Sequence, residues 1–228
     1  MLEKIIRKLF GKKDFHLDKS IPKSYLVRLS FKYILSLLRG NWNRLFLGKS
    51  GYRIFIESRV RLIARKQIFL GENVRIGKKS VINAISSDGV VLADNVKLGE
   101  NNQLLVTGSL QSIGKGIRIG KNTSFSENTF FGAAGGIEIG SDVIAGQNIR
   151  FHAENHVFAD TSKLIRNQGV THKGIKIGND CWIGSGVVFL DGATVGDGCV
   201  IAANAVVTKV FSDNVVIGGI PAKTLKKR

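Results

Sequence analysis

Cysteine, proline and long apolar runs are what this sequence has least of. Its 228 residues include two cysteines, Cys181 and Cys199, and two prolines. Two cysteines cannot form the disulfide framework of a small secreted scaffold. Two prolines against 27 glycines exclude a proline-rich linker and point to a backbone with many tight turns. No apolar run reaches the roughly 18 residues that a membrane span needs. The N-terminus carries lysines and arginines but no apolar stretch with a small-residue cleavage site, so no signal peptide is expected and a cytoplasmic location is the default.

Acidic residues are scarce in one place only. The net charge is +17, yet residues 1–66 hold 17 Lys and Arg against 4 Asp and Glu, while residues 67–228 hold 17 against 13. The chain therefore divides into a basic N-terminal segment (1–66), a nearly balanced body (67–217) and a short basic tail (218–228). The excess sits on one segment without an identifiable reader of bases, so no nucleic-acid partner is expected.

What the body does have is a repeat of six. The clearest run is Ile177-Gly178-Asn179-Asp180-Cys181-Trp182, then Ile183-Gly184-Ser185-Gly186-Val187-Val188, continuing through heads Phe189, Val195 and Ile201. Earlier heads are Leu70, Ile76, Ile82, Leu92, Leu98, Ile119, Phe125, Phe131, Ile139, Ala145 and Phe151. Each hexad reads as a short strand plus a corner, and three hexads as one coil of a parallel β-helix. The head and the fifth position point inward, and the fifth is filled by small residues such as Val74, Ser80, Thr123, Cys181 and Cys199. Cys181 and Cys199 are separated by three hexads, one full coil, and should occupy adjacent rungs as buried thiols.

Function is expected where the repeat breaks. The interval between heads Ile139 and Ile177 is more than twice one coil, and residues 157–174 fit no hexad, so they read as an inserted loop. Just before it stands Phe151-His152-Ala153-Glu154-Asn155-His156. Histidine is the side chain best suited to act as a base near neutral pH. His172, inside the loop, reads as a surface residue.

The stretch Ile139–Lys223 resembles the hexapeptide-repeat acyltransferases, in the branch of galactoside, maltose and capsule or O-antigen O-acetyltransferases. The resemblance rests on the hexads, on Asn155-His156-Val157-Phe158-Ala159-Asp160, on Gln168-Gly169-Val170-Thr171-His172-Lys173-Gly174 leading into Cys181-Trp182-Ile183-Gly184, and on Val206-Val207-Thr208-Lys209 with Ile217-Gly218-Gly219-Ile220-Pro221-Ala222-Lys223. Ile220 stands where the family usually has asparagine.

The resemblance implies a mainly β chain coiled as a left-handed parallel β-helix, a handedness that spacing alone does not supply. It implies acetyl transfer from acetyl-coenzyme A to a sugar hydroxyl, in cell-surface polysaccharide biosynthesis, by a homotrimer whose sites are shared between chains. His156 matches the catalytic base. Asn155, Glu154, His152 and Trp182 are candidates for the acceptor side. Ser185, Ala203, Thr208, Lys209, Lys223, Lys227 and Arg228 are candidates for the coenzyme, and no metal is expected. A sugar N-acyltransferase shares fold and base, a zinc enzyme of the carbonic-anhydrase kind needs three histidine ligands, and a non-catalytic solenoid has no use for the histidine-bearing break.

Residues 24–47 alternate apolar and basic residues and suggest one or two short helices broken near Gly40-Asn41. Residues 1–13 repeat the theme. Such a segment suits a cap on the open end of the coil, or peripheral contact of residues 1–47 with the anionic inner face of a membrane, where a lipid-linked acceptor would be met.

Overall fold

The computed structural model describes residues 16–109 and 111–228. It is a three-sided parallel coil with one helix packed on its first turn. Three sheets of eight, nine and seven strands form the faces, parallel except for the last strand of the nine, and successive coils step through them in order. The fold is that of the left-handed parallel β-helix.

The inward positions follow the repeat. The heads from Leu70 to Val207 are at most 4% exposed, and the fifth positions Val74, Ser80, Thr123, Val143, Cys181, Val187, Ala193, Cys199 and Ala205 at most 2%. The third face carries a ladder of rings inside: Phe131 stacks on Phe151 at 5.0 Å between centroids, and Phe151 on Phe189 at 4.8 Å. Cys181 and Cys199 lie in adjacent rungs, as expected, and both are free thiols. Each thiol reaches a carbonyl on the next coil, Gly196 for Cys181 and Ser212 for Cys199, both at 3.2 Å. Thr123 does the same to the Gly140 carbonyl at 2.9 Å. A small donor at the fifth position thus caps the corner carbonyl above it. Burial pushes the Cys181 thiol up to about 11, which leaves no thiolate at neutral pH.

The plain three-hexad coil is not general. It holds where Trp182 pairs with Val200, but the coils that pair Arg75 with Lys97, Ser124 with Ile144 and Ile144 with Trp182 are all longer, the last by far the longest. The extra residues all enter at one corner. From face one to face two, and from face two to face three, the heads stay six apart, as in Ile119, Phe125 and Phe131. Every longer connection runs from the third face back to the first: 64–67, 84–89, 106–116, 133–136 and 153–174. The two plain corners turn through residues at positive φ three places after each head. At the first these include Asn73, Asn95, Asn122 and Asp142, and at the second Asn101, Asn128, Asn148 and Asn204, with Arg53, Arg59, Lys79, Asp180, Gly186, Gly198 and Asn214 in the remaining turns. Asparagine tolerates that conformation better than most residues, and its amide adds a ladder along the corner. Asn73 donates to Asn95, Asn95 to Asn122 and Asn122 to Asp142 at 2.8–2.9 Å.

Both ends depart from the expected boundaries. Coiling begins at Lys49, where Lys49–Ser50 pairs with Phe69–Leu70, inside the segment assigned to the N-terminal cap. The helix is a single one, Lys23–Arg44, and runs through Gly40 without a break. Gly40 is there for contact: a Cβ would overlap the Ile54 carbonyl, so the glycine lets the helix lie directly on the first coil. The helix is held there also by Lys32 on Glu57 at 2.9 Å and by Tyr33 edge-on to Phe55. At the other end, Ala222–Lys227 is a strand that folds back antiparallel on Val215–Gly219, so most of the expected tail closes the last rung of the second face. The basic stretch 1–13 lies outside the described residues.

Candidate active site

The insertion is a hairpin that begins at Ala153, four residues before the expected loop 157–174, so His156 stands on the hairpin and not on the coil edge ahead of it. Asn155–His156 pairs antiparallel with Val170–Thr171, His156 facing Val170 in register. Its far end is cross-braced by Gln168, whose amide donates to the carbonyls of Asp160 at 2.8 Å and Lys163 at 3.0 Å and accepts from the Asp160 N–H. Its two legs are tied near the base by His172 Nε2 and Glu154 Oε2, 2.8 Å apart. Where the chain rejoins the coil, the buried Asp191 carboxylate accepts from the N–H groups of Lys173 and Gly174 at 2.8–3.0 Å. His156 is thus an exposed imidazole on a frame fixed at three levels. It sits at the rim of the prism, outside the packed interior.

His152 ends the third-face strand Arg150–His152 and points outward from it, its ring 5.6 Å from Phe130. Partial burial, then the neighbouring Arg150 charge, hold its pKa below the usual imidazole range. Glu154 is engaged with His172, which makes it a brace of the hairpin. Asp191 and the Glu154–His172 pair are the parts that sequence reasoning missed. Their only trace there was an Asp-Gly at the corner one coil after the loop and a histidine three residues before the coil resumes.

The coenzyme candidates fall elsewhere. Ser185 and Ala203 stack in successive coils at the second corner, where the Asn204 N–H donates to the Ser185 carbonyl at 2.9 Å. Lys223 pairs with Gly218 beside that column. Trp182 joins it from the second face, 59% exposed, between Ile144 and Val200. Thr208 and Lys209 lie at the third corner, two coils beyond the hairpin; the Lys209 carbonyl accepts from Thr194, and its ammonium sits 5.6 Å from the Phe211 ring. Lys227 and Arg228 are at the first corner. Arg228 is held by Asp180 Oδ2 at 2.9 Å and the Gly198 carbonyl at 2.9 Å, well away from Ser185.

One chain therefore places the histidine group and the Trp182–Ser185–Ala203 group on opposite edges of the third face, separated by a three-residue strand of about 10 Å. The clefts along the helix, of about 500 and 180 Å³, and two others on the first face do not include His156. Among the described residues no three His, Cys, Asp or Glu side chains converge as a zinc site would require.

Two family models match the chain: the bacterial transferase hexapeptide over residues 174–209 and the hexapeptide repeat of succinyl-transferase over 67–102. A probable acetyltransferase of Mycobacterium tuberculosis is 37% identical over 92 residues, 40% of this chain and 31% of that protein. The galactoside O-acetyltransferase of Escherichia coli is 35% identical over 91 residues, 40% of this chain and 44% of its own length. A chloramphenicol acetyltransferase of Agrobacterium fabrum is 54% identical over 52 residues, 23% of this chain and 25% of its own. The chain thus spans less than half the length of the curated relatives it matches. Among solved structures, a variant of an N-acyltransferase from Bacillus cereus, bound to dTDP and coenzyme A, superposes with a TM-score of 0.54 at 15% identity, over 82% of this chain and 88% of that one. That likeness carries the fold. Together with the two matched segments, it makes the chain a hexapeptide-repeat parallel β-helix similar to the acyltransferases built on that repeat.

Proposed function

We propose that the chain transfers an acetyl group from acetyl-coenzyme A to a sugar hydroxyl. The observation that carries this reading is an exposed imidazole held on a braced hairpin at the one decorated corner of a coil. His156 takes the acceptor proton as the hydroxyl oxygen attacks the thioester carbon. The carbon–sulfur bond then breaks, and the coenzyme leaves as its thiol once protonated. The oxyanion formed in between needs a donor already in place, for which the backbone around Ser185 is the candidate.

In one chain Ser185 and His156 are on opposite edges of a face, so a complete site draws His156 from one copy and the Trp182–Ser185–Ala203 column from another. The outer surface near that column favours such contact. Ile144 and Trp182 are 63% and 59% exposed in neighbouring rungs, whereas the first face bears Arg118, Glu138 and Lys176 in register. The proposed assembly is a homotrimer, with coenzyme A along the crevice between copies. Lys223, Thr208 and Lys209 are within reach of such a crevice as phosphate or amide partners, and Arg228, tied to Asp180, is assigned to the chain end.

The test is a transfer assay with acetyl-coenzyme A across hydroxyl and amino sugars, run on the parent chain, His156→Ala and Ala203→Trp. His156→Ala should lose about 10²–10⁴ of the rate, and Ala203→Trp, by filling the crevice beside Ser185, should also lower it. Mixed and reassembled variants should recover part of it, because one interface in the mixture has both halves intact. No transfer by the parent chain, or full activity of His156→Ala, would refute the assignment. Transfer confined to amino sugars would move the acceptor from hydroxyl to amine.

A further inference from the structure

The helix Lys23–Arg44 carries apolar residues on both sides. One side packs on the coil through Tyr33, Ser36 and Gly40. On the other, Val27, Phe31, Ile34, Leu38 and Trp42 are 56–71% exposed. Their spacings of four, three, four and four residues align them in one stripe along the helix, and Leu45, 69% exposed, prolongs it. Scattered exposed apolar residues are ordinary, but a continuous stripe of this length marks a surface made to be covered.

The neighbouring row of the same helix is basic. Arg28, Lys32 and Arg39 follow one another along it. Lys32 is engaged with Glu57 and Glu100, while Arg28 and Arg39 border the adjoining cleft. The whole stretch 1–66 carries 17 basic residues against 4 acidic ones. A second copy docked stripe to stripe would bring two such fields together. An anionic lipid surface answers both features at once, taking the apolar stripe into its acyl boundary and the arginines among its phosphates. No helix of the described residues is long and apolar enough to cross a membrane, so this one would lie in the surface plane.

We propose that this outward stripe docks the chain on an anionic lipid surface, with Phe31, Leu38 and Trp42 inserted and Arg28 and Arg39 on headgroup phosphates. An aromatic ring such as Trp42 suits the headgroup boundary. The inference stands apart from the acyl-transfer reading, since none of these residues belongs to the candidate site.

The experiment is co-sedimentation of the full chain with vesicles of phosphatidylcholine alone or mixed with phosphatidylglycerol. Binding should require the anionic lipid and weaken as salt rises. Phe31→Ser/Leu38→Ser/Trp42→Ser should lower it about tenfold or more with circular dichroism and thermal melting retained, because the replaced side chains face water. Arg28→Gln/Arg39→Gln should lower it by a smaller factor and flatten the salt dependence. Equal binding by the triple variant, or equal binding to phosphatidylcholine alone, would overturn the proposal. So would a smaller particle mass for the triple variant in light scattering, which would make a second copy the occupant. Binding that emerges only after residues 1–15 are deleted would overturn it too, by making that segment the natural cover.

Discussion

The two plain corners of the prism and the decorated third one are made of the same chain under different rules. At the plain corners each turn has a fixed length, a positive-φ residue in a fixed place and an asparagine or backbone ladder to the next coil. At the third corner length varies from coil to coil, and side chains fasten the longer excursions individually, as Thr107 fastens the 106–116 connection and Asp191 the hairpin. A stacked coil tolerates irregularity only where it does not break the registry of the next rung. Confining it to one edge keeps two edges as the scaffold and frees the third for a site.

That contrast can be broken most severely at a plain corner. Inserting Gly-Ser after Asn95 would shift the second face out of register and interrupt the asparagine ladder. The same insertion after Gly108, where a Cβ would meet nothing within 4 Å, should leave the melting temperature nearly unchanged. Thermal unfolding of the pair measures the asymmetry, and equal losses would abolish it.

Next in size is the ring ladder shared by both kinds of corner. Phe151→Ala removes a fully buried ring between Phe131 and Phe189 and should cost about 3–5 kcal/mol in denaturant unfolding. Asp191→Ala strikes the decorated corner alone. Transfer should fall by about 10²-fold through a displaced His156, while global stability falls by only about 1–3 kcal/mol for the orphaned N–H groups. If kcat holds while stability drops, the hairpin needs no such anchor.

The smallest effect is expected from His152. Its folded-state pKa is depressed, so the unfolded chain binds the proton more readily, and the contribution of neutral His152 is present above the unfolded value near 6.5 and lost as pH falls below it. His152→Gln should therefore flatten the stability profile slightly on the acid side. An unchanged slope between pH 7 and 5 would show that the ring titrates alike in both states.

That the repeat breaks between Phe151 and Ile177, and which side of the hexads from Leu70 on points inward, were legible because they depend on period, and period is written locally; that the insertion starts at Ala153 and carries His156 on its own strand was not. The boundary of the helical segment was not. Gly40-Asn41 reads as a helix stop, and only the carbonyl of Ile54, on the first coil, shows why a glycine is kept inside a continuous helix. Glu154 likewise reads as an acceptor contact until His172 is found 2.8 Å away across the hairpin.

By itself the sequence determined the coil: aliphatic heads and small fifth positions recur with a period of six, and a chain so patterned can bury them only by winding and stacking. The tertiary structure alone decided that all insertions share an edge, that Trp182, Ser185 and Ala203 form a column away from His156, and that Arg228 turns to Asp180. These are relations between rungs far apart in the chain. Such distances are set by how coils stack, which no window of sequence contains.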